Sequence, residues 1–374
     1  MSELFDASVY ADRLGRAQGL LRERGLAGIV IGPGPELAYL SGSWTSSHER
    51  LTALTVTPTK SRLIAPETDL HSLADSAVSE LDVEVLGWAD GEDAHALAAA
   101  PVLEGDADGA VGLGDSLTTR HVLALQELFA PRETKVAALA LAELFTRKDA
   151  AEIEQLRAAG RAIDAVHAKV PELLRAGRTE AEVAADIDKL ILERHGVVDF
   201  VIVGSGPNGA NPHHDFSDRV LEDGDMVVVD IGGTYGVGYH SDCTRTYVVG
   251  GDPATLPEEA RSMYAVLAEA QEAAVAAVRP GVTAASIDDV ARSRITEAGY
   301  GEAYFHRTGH GIGLSTHEEP FIMAGNDLVL EPGMAFSVEP GIYLRGRFGA
   351  RIEDIVVVTE DGCERLNEGP RELR

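Results

Sequence analysis

The sequence predicts an α/β amino-terminal domain followed by an α+β domain built from two similar halves. Two observations carry this: helix and strand signals alternate over residues 1 to about 145, and two motifs recur in the same order in the remainder. With 374 residues, 45% hydrophobic and 25% charged, the chain has the apolar material for two ordinary domains.

Taken in order, a first helix is expected around Tyr10–Arg24, followed by strand-like runs GLAGIVIG from Gly25, LTALTVT from Leu51, SRLIAP from Ser61 and VEVLGW from Val83. The pattern changes between Phe145 and Asp149. There Asp149 and Glu152 spell a D-x-x-E capping box ahead of Ile153, Leu156, Ile163 and Val166 at helical spacing. The domain boundary is placed here, giving domains 1–145 and 146–374, and in the absence of a Pro/Ser linker the two are expected to pack closely.

The second domain repeats itself. GRTEAEV at Gly177 and GVTAASI at Gly281 share G-x-T-x-A-x-(V/I), each opening a helix that should end at a glycine, Gly196 and Gly299 respectively. LEDGDMVVVDIG from Leu221 and LEPGMAFSVEPG from Leu330 share Leu, Glu, Gly, an acid and a final Gly at an offset of 109, so Asp230 and Glu339 are equivalent. Two echoes in the same order predict pseudo-two-fold halves, each delivering a carboxylate at the end of an apolar strand and bringing the pair together at the centre.

Composition narrows the function. The net charge of −29 comes from 61 acidic against 32 basic residues spread along the chain, which excludes the clustered basic surface that a nucleic acid requires. Glu3, Asp6, Asp12 and Arg13 fall where a signal peptide needs an apolar core, and no run of 18 apolar residues suggests a membrane span. Cys243 and Cys363 lie far apart, in contexts unlike a disulfide framework or a C-x-x-C site, and a reducing cytoplasm fits that usage.

Acids on apolar strands carry the chemistry. Asp230 closes VVVD, Asp242 follows twelve residues later in YHSDCTRTYVV, Glu339 closes FSVE, and Glu353 stands at the start of IEDIVVV, after Ile352. Two carboxylates ~4 Å apart repel by ~4 kcal/mol at an effective dielectric of 20, so four together require cations. Two divalent ions balance four carboxylates. An oxygen-rich set with one imidazole suits Mn, Co, Fe or Zn, and His310 in HRTGHGIGLSTHEEP is the imidazole candidate, flanked by glycines that let the backbone crowd close. The spacing of His306, His310 and His317 is not the helical H-E-x-x-H of zincins.

With DIGG, SDCTRT, GHGIGL, VEPGIY and RIED around them, Asp230, Asp242, His310, Glu339 and Glu353 resemble the pita-bread metallopeptidases, which include aminopeptidase P, prolidase and methionine aminopeptidase. The resemblance covers about 230 residues strongly. The first 145 residues resemble, more weakly, the creatinase-type amino-terminal domain of the proline-directed members. It implies that Asp230 chelates one metal and His310 and Glu339 the other, with Asp242 and Glu353 bridging both, manganese first and cobalt, zinc or iron as alternatives. Glu339 would take a proton from the attacking water and pass it to the leaving proline nitrogen, and His317 would hydrogen-bond the oxyanion. His213 and His306 would position the substrate, and Arg351 would fix Glu353 from behind. Proline-containing peptides are the implied partners, and a homodimer or homotetramer the implied assembly.

Two features read differently alone. Gly204, Gly206 and Gly209 spell G-x-G-x-x-G after the strand-like DFVIV, with Asp230 about twenty residues on, but Pro207 and Asn211-Pro212 leave no helix N-terminus for a pyrophosphate. These glycines are read as a turn bringing His213 to the site. Cys243 alternates away from Asp242 along its strand and is read as a small core residue.

The sequence therefore points to an exopeptidase that cleaves the Xaa-Pro bond. Short prolidases can carry an arginine just after H-E-x-P to hold a dipeptide's carboxylate; Phe321 stands there here, which favours an Xaa-Pro aminopeptidase over an Xaa-Pro dipeptidase unless Arg345 or Arg347 serves instead. The alternatives are a creatinase-like hydrolase of a non-peptide substrate and a non-catalytic binding protein of the same fold. Retention of all five ligand positions speaks against both.

Overall fold

The computed structural model describes residues 4–47 and 49–374, so Glu3 of the opening stretch lies outside the described residues. The chain divides into two compact units, Met1–Phe145 and Thr146–Arg374. Among the described residues, no helix is long and apolar enough to cross a membrane.

The first unit is a six-stranded mixed sheet flanked by helices. Its strands are β1 (Gly28–Ile31), β2 (Ala53–Val56), β3 (Ser61–Pro66), β4 (Glu84–Trp88), β5 (Val111–Leu113) and β6 (Thr134–Val136), in the order β4-β3-β2-β1-β5-β6. The first helix spans Ala7–Glu23 and is capped by the Asp6 side chain, which accepts from Ser8 N. Short β5 and β6 were not singled out in the sequence. Three residues each are too few for alternation to show; β5 is recruited by parallel pairing to β1 and β6 by parallel pairing to β5.

The second unit shows the predicted duplication. Helices Ala150–His167 and Glu180–Leu192 cover one sheet, made of β7 (Val197–Ser205), β8 (Met226–Tyr235) and β9 (Tyr239–Val248). Helices Glu258–Ala277 and Ala284–Glu297 belong with a five-stranded sheet of β10 (Gly309–Gly311), β11 (Glu318–Ile322), β12 (Ala335–Val338), β15 (Asp354–Val358) and β16 (Cys363–Arg365), while β13 (Gly341–Leu344) and β14 (Phe348–Arg351) form a hairpin. Each half has its own core. Ile163, Val183, Ile187 and Ile191 pack on Val203, Val227, Val229 and Ile231; Ala274, Ile287 and Ala291 pack on Phe336, Val338, Val356 and Val358.

The repeat extends to single hydrogen bonds. Gly177 N donates to Leu221 O in one half and Gly281 N to Leu330 O in the other, both 2.9 Å, and Thr179 bridges Val220 as Thr283 bridges Val329. The expected capping box forms, Asp149 with Glu152, and the structure adds a second, Thr179 with Glu182. The helix before Gly299 stops as predicted, at Glu297, with Gly299 at φ 90°. The helix before Gly196 ends earlier, at Leu192, because the chain turns so that buried His195 meets the Ser241 hydroxyl at 2.9 Å.

Candidate metal centre

Strand alternation sorts the acids from the core. Along β8, Val227, Val229 and Ile231 face the covering helices, so Asp230 projects from the opposite face; along β9, Cys243 and Tyr247 join that core while Asp242 and Thr244 face away. In the other half Phe336 and Val338 are core and Ser337 and Glu339 point the other way, and Glu353 sits at the entry to β15. The four carboxylates thus leave the inner faces of two sheets. His310 comes from β10, wedged between β11 and β12: a Cβ on Gly309 would lie 1.8 Å from Ser337 O, and one on Gly311 2.2 Å from Glu319 O. Only glycine on either side permits that approach.

These side chains converge. One donor atom each from Asp242, His310 and Glu353 lies within 4.8 Å of the others, and these residues are 4%, 3% and 1% exposed. His310 Nε2 is 3.1 Å from Glu339 Oε1 and 3.7 Å from Asp242 Oδ2. Asp230 enters through Arg351, whose Nη2 is 2.6 Å from its Oδ2. All five predicted ligands stand together, and a cavity of about 580 Å³ opens above them, lined also by His213, His306, His317, Arg307 and the apolar Phe200, Ile202 and Pro212.

The electrostatics are those of crowded carboxylates. Burial, then Glu353, Asp230 and Glu339, push the Asp242 carboxyl well above its ordinary range, and burial with Glu339 and Asp230 does the same to Glu353. Asp230 is raised by burial despite the opposing Arg351 charge. Glu339 moves the other way: burial would raise it, but the hydrogen bond and charge of His310, with His306 and Arg351, bring it down to about 2.

The donor set fits divalent metal. Asp230 Oδ1 and Glu353 Oε1 are buried oxygens with no hydrogen-bond partner, a costly condition that a cation removes. His310 Nδ1 lies 3.1 Å from Gly311 O, so that nitrogen donates and Nε2 is left as a ligand atom toward the carboxylates.

Residues that sequence reasoning did not single out support this set. Thr244 Oγ1 donates to Glu353 Oε2 at 2.8 Å and accepts from Arg351 Nε at 3.1 Å; Ser337 Oγ donates to Glu339 Oε1 and accepts from His310 N, both at 3.0 Å. Arg351 Nη1 donates to the Tyr343 hydroxyl at 2.8 Å, and that hydroxyl lies 3.0 Å from His306 Nε2. Arg351 therefore grips Asp230 directly and reaches Glu353 through Thr244. Arg351→Leu is expected to lower kcat/KM by about 10–100-fold with weaker metal retention, read by metal titration of activity.

The predicted histidines divide. His317 stacks edge-on against His310, ring centroids 4.1 Å apart, and burial, His310 and Arg307 hold its pKa down to about 4, so it is neutral at working pH. His213 lines the cavity. His306 also lines it, but its Nδ1 lies 2.7 Å from Arg307 O and its Nε2 faces Tyr343, so both ring nitrogens are engaged within the protein. Neither Arg345 nor Arg347 reaches the cavity: Arg345 lies over the Phe305 ring and Arg347 grips Glu259 with both terminal nitrogens. Cys243 is buried core, as read from its strand. The G-x-G-x-x-G run ends in a 3₁₀ turn, Gly206–Ala210, not an α-helix; a Cβ on Gly349 of β14 would lie 2.1 Å from Gly209 O, so this segment is built for close backbone contact.

A pita-bread fold with a buried Asp/His/Glu cluster defines a metallopeptidase. Residues 154–360 match the model of metallopeptidase family M24, and residues 13–144 that of the creatinase/prolidase N-terminal domain. The chain belongs to family M24. It is 52% identical over 374 residues to the probable dipeptidase PepE of Mycobacterium tuberculosis, covering 100% of this chain and 98% of that one. It is 37% identical over 345 residues to an Xaa-Pro dipeptidase of Lactobacillus helveticus, covering 90% and 92%. The crystal structure of dipeptidase PepE from Mycobacterium ulcerans superposes with a TM-score of 0.94 at 51% identity, covering 99% of each chain.

Proposed function

We propose that this metallopeptidase is an Xaa-Pro dipeptidase that works with two divalent ions, 146–374 being its catalytic domain and 1–145 its creatinase-type partner. The observation that carries the reading is the convergence of Asp230, Asp242, His310, Glu339 and Glu353 beneath a peptide-sized cavity. The names of the relatives weigh toward a dipeptidase. They outweigh the lean toward an aminopeptidase drawn from Phe321, which remains the second reading.

Asp230 would hold one ion, His310 and Glu339 the other, with Asp242 and Glu353 shared. The bound pair would supply an activated water and polarise the scissile carbonyl. The chain's own groups do the rest. Ionised Glu339 accepts the proton of the attacking water and returns it to the proline nitrogen, which as a tertiary amide cannot leave without one. Neutral His317 donates its N–H to the developing oxyanion. Phe200, Ile202 and Pro212 offer an apolar wall suited to a pyrrolidine ring, while His306, tied to Tyr343, shapes the wall and His213 meets the substrate directly.

Oxygen-rich donors with a single imidazole favour manganese, with cobalt, zinc or iron as substitutes. Two unpaired cysteines support a reducing cytoplasm, and the family resemblance supports a homodimer or homotetramer. The test is hydrolysis of a panel of Xaa-Pro dipeptides and Xaa-Pro-Pro tripeptides by metal-loaded and chelator-stripped protein. Stripping is expected to abolish turnover and lower Tm, with manganese restoring both and dipeptides preferred. Equal turnover without metal, or no cleavage before proline, would remove the reading.

A further inference from the structure

The cavity has two cationic side chains in its lining, Arg351 and Arg307, and they differ in what they already hold. Arg351 is buried and spent on Asp230, Tyr343 and Thr244. Arg307 makes no ion pair and no side-chain hydrogen bond among the described residues, although Asp215, Asp230, Asp242 and Glu339 line the same cavity. In a chain with 61 acidic residues, an arginine left unpaired in such a pocket is placed for something that arrives.

Its position is fixed from below. The Arg307 guanidinium carbon lies 4.5 Å from the centroid of the Phe321 ring, so the planar group rests on an aromatic face with its N–H edges free. That platform is itself held: Phe321 N donates to Glu319 Oε2 at 2.9 Å, Asn326 Nδ2 donates to Phe321 O at 2.7 Å, and β11 pairs with β10, Gly309 opposite Ile322. At the other end, the Arg307 carbonyl accepts from His306 Nδ1, and Thr308 N donates to Ile322 O at 2.8 Å. A preorganised guanidinium fork matches a carboxylate through two parallel N–H bonds.

A dipeptide differs from a longer peptide in one respect within reach of this pocket: the residue after the scissile bond ends in a carboxylate instead of a neutral amide. We infer that Arg307, seated on Phe321, binds the free α-carboxylate of the substrate and so selects two-residue peptides, an inference that rests on the proposed Xaa-Pro peptidase activity. Phe321 then serves as the support on which a cation from the neighbouring strand is presented.

The test compares kcat/KM for Ala-Pro and Ala-Pro-amide, which share the scissile bond and differ in C-terminal charge, using manganese-loaded full-length protein. The wild type is expected to prefer the acid. Arg307→Ala should shrink the acid-to-amide ratio by about 10–100-fold, chiefly through KM for the acid. Arg307→Lys, which keeps the charge but loses the fork, should retain part of the preference. Phe321→Leu, which removes the platform and leaves the charge, should reduce the ratio by less than Arg307→Ala and guards against a variant that fails to fold. A parallel loss on both substrates at constant ratio would mark a structural role and overturn the inference, as would a wild type that turns over both equally. In both of those outcomes Xaa-Pro cleavage survives, whereas no hydrolysis of either substrate with metal present overturns the proposed function itself.

Discussion

Asp242→Ala and His310→Ala are each expected to lower kcat/KM by at least about 10³-fold, equivalent to ~4 kcal/mol of transition-state stabilisation, and to leave the purified protein depleted of metal. Each removes a donor from the trio whose ligand atoms lie within 4.8 Å of one another, so the remaining groups no longer close around a cation. Asp242→Ala carries a second signature. Asp242 faces Glu353, Asp230 and Glu339 in a buried site, and its carboxyl is pushed well above the ordinary range by burial and by those neighbours. Two ionised groups this close repel by ~4 kcal/mol at an effective dielectric of 20 and avoid it only by taking up a proton at its own cost; both penalties go with Asp242, and the carboxyl-sized gap it leaves opens onto the cavity. The metal-free variant is therefore expected to melt no lower than the metal-free wild type, while the Tm increase that metal confers on the wild type disappears. Melting curves with and without manganese, run beside metal analysis, check this. A variant that keeps both metal and turnover removes Asp242 from the centre.

How much of this was legible in the sequence follows from which contacts are local. The capping box at Asp149 is a four-residue pattern, and it formed. The acids could be read because each sits on an apolar strand, where alternation says which face it leaves, and because the repeat made Asp230 and Glu339 equivalent. Tyr343, Thr244 and Ser337 could not be read in this way. Tyr343 reaches Arg351 across the β13–β14 hairpin, where it pairs with Gly349, and Thr244 reaches Glu353 over 109 positions of sequence. Such contacts depend on register and sheet packing, and a threonine or tyrosine on a strand has an equally good reason to be there as a strand former. The early end of the helix at Leu192 has the same origin: a buried His195–Ser241 hydrogen bond joins residues 46 positions apart, and no local stop signal anticipates it. For Arg307 the sequence showed a charged residue in a histidine-rich loop; that it has no ion pair among the described residues, in an acidic cavity, is visible only once the other partners are placed.

Glu339→Gln separates metal binding from proton transfer, and it is expected to lower kcat by about 10²–10⁴-fold while metal content under saturating manganese stays close to that of the wild type. The substitution keeps the side chain's shape and one ligating oxygen; the Ser337 hydroxyl, 3.0 Å from Oε1, can donate to an amide oxygen as it does to the carboxylate. What is lost is basicity. Without metal, the hydrogen bond and charge of His310, with His306 and Arg351, outweigh the burial that would raise the Glu339 carboxyl; with ions bound, His310 would turn its Nε2 to them and their positive charge would keep the carboxyl ionised and able to receive a proton. An amide can neither take the proton of the attacking water nor hand one to the departing proline nitrogen. Because substrate is held by other groups of the cavity wall, KM should move little, and the loss should appear in kcat. Asp242→Ala would fail for want of metal, and Glu339→Gln with the metal in place; single-turnover rates at saturating metal tell the two apart. Should Glu339→Gln retain kcat within about tenfold of the wild type while fully metallated, Glu339 is a ligand alone, and His317, 4.1 Å from His310 between ring centroids, becomes the group to test for the proton transfer.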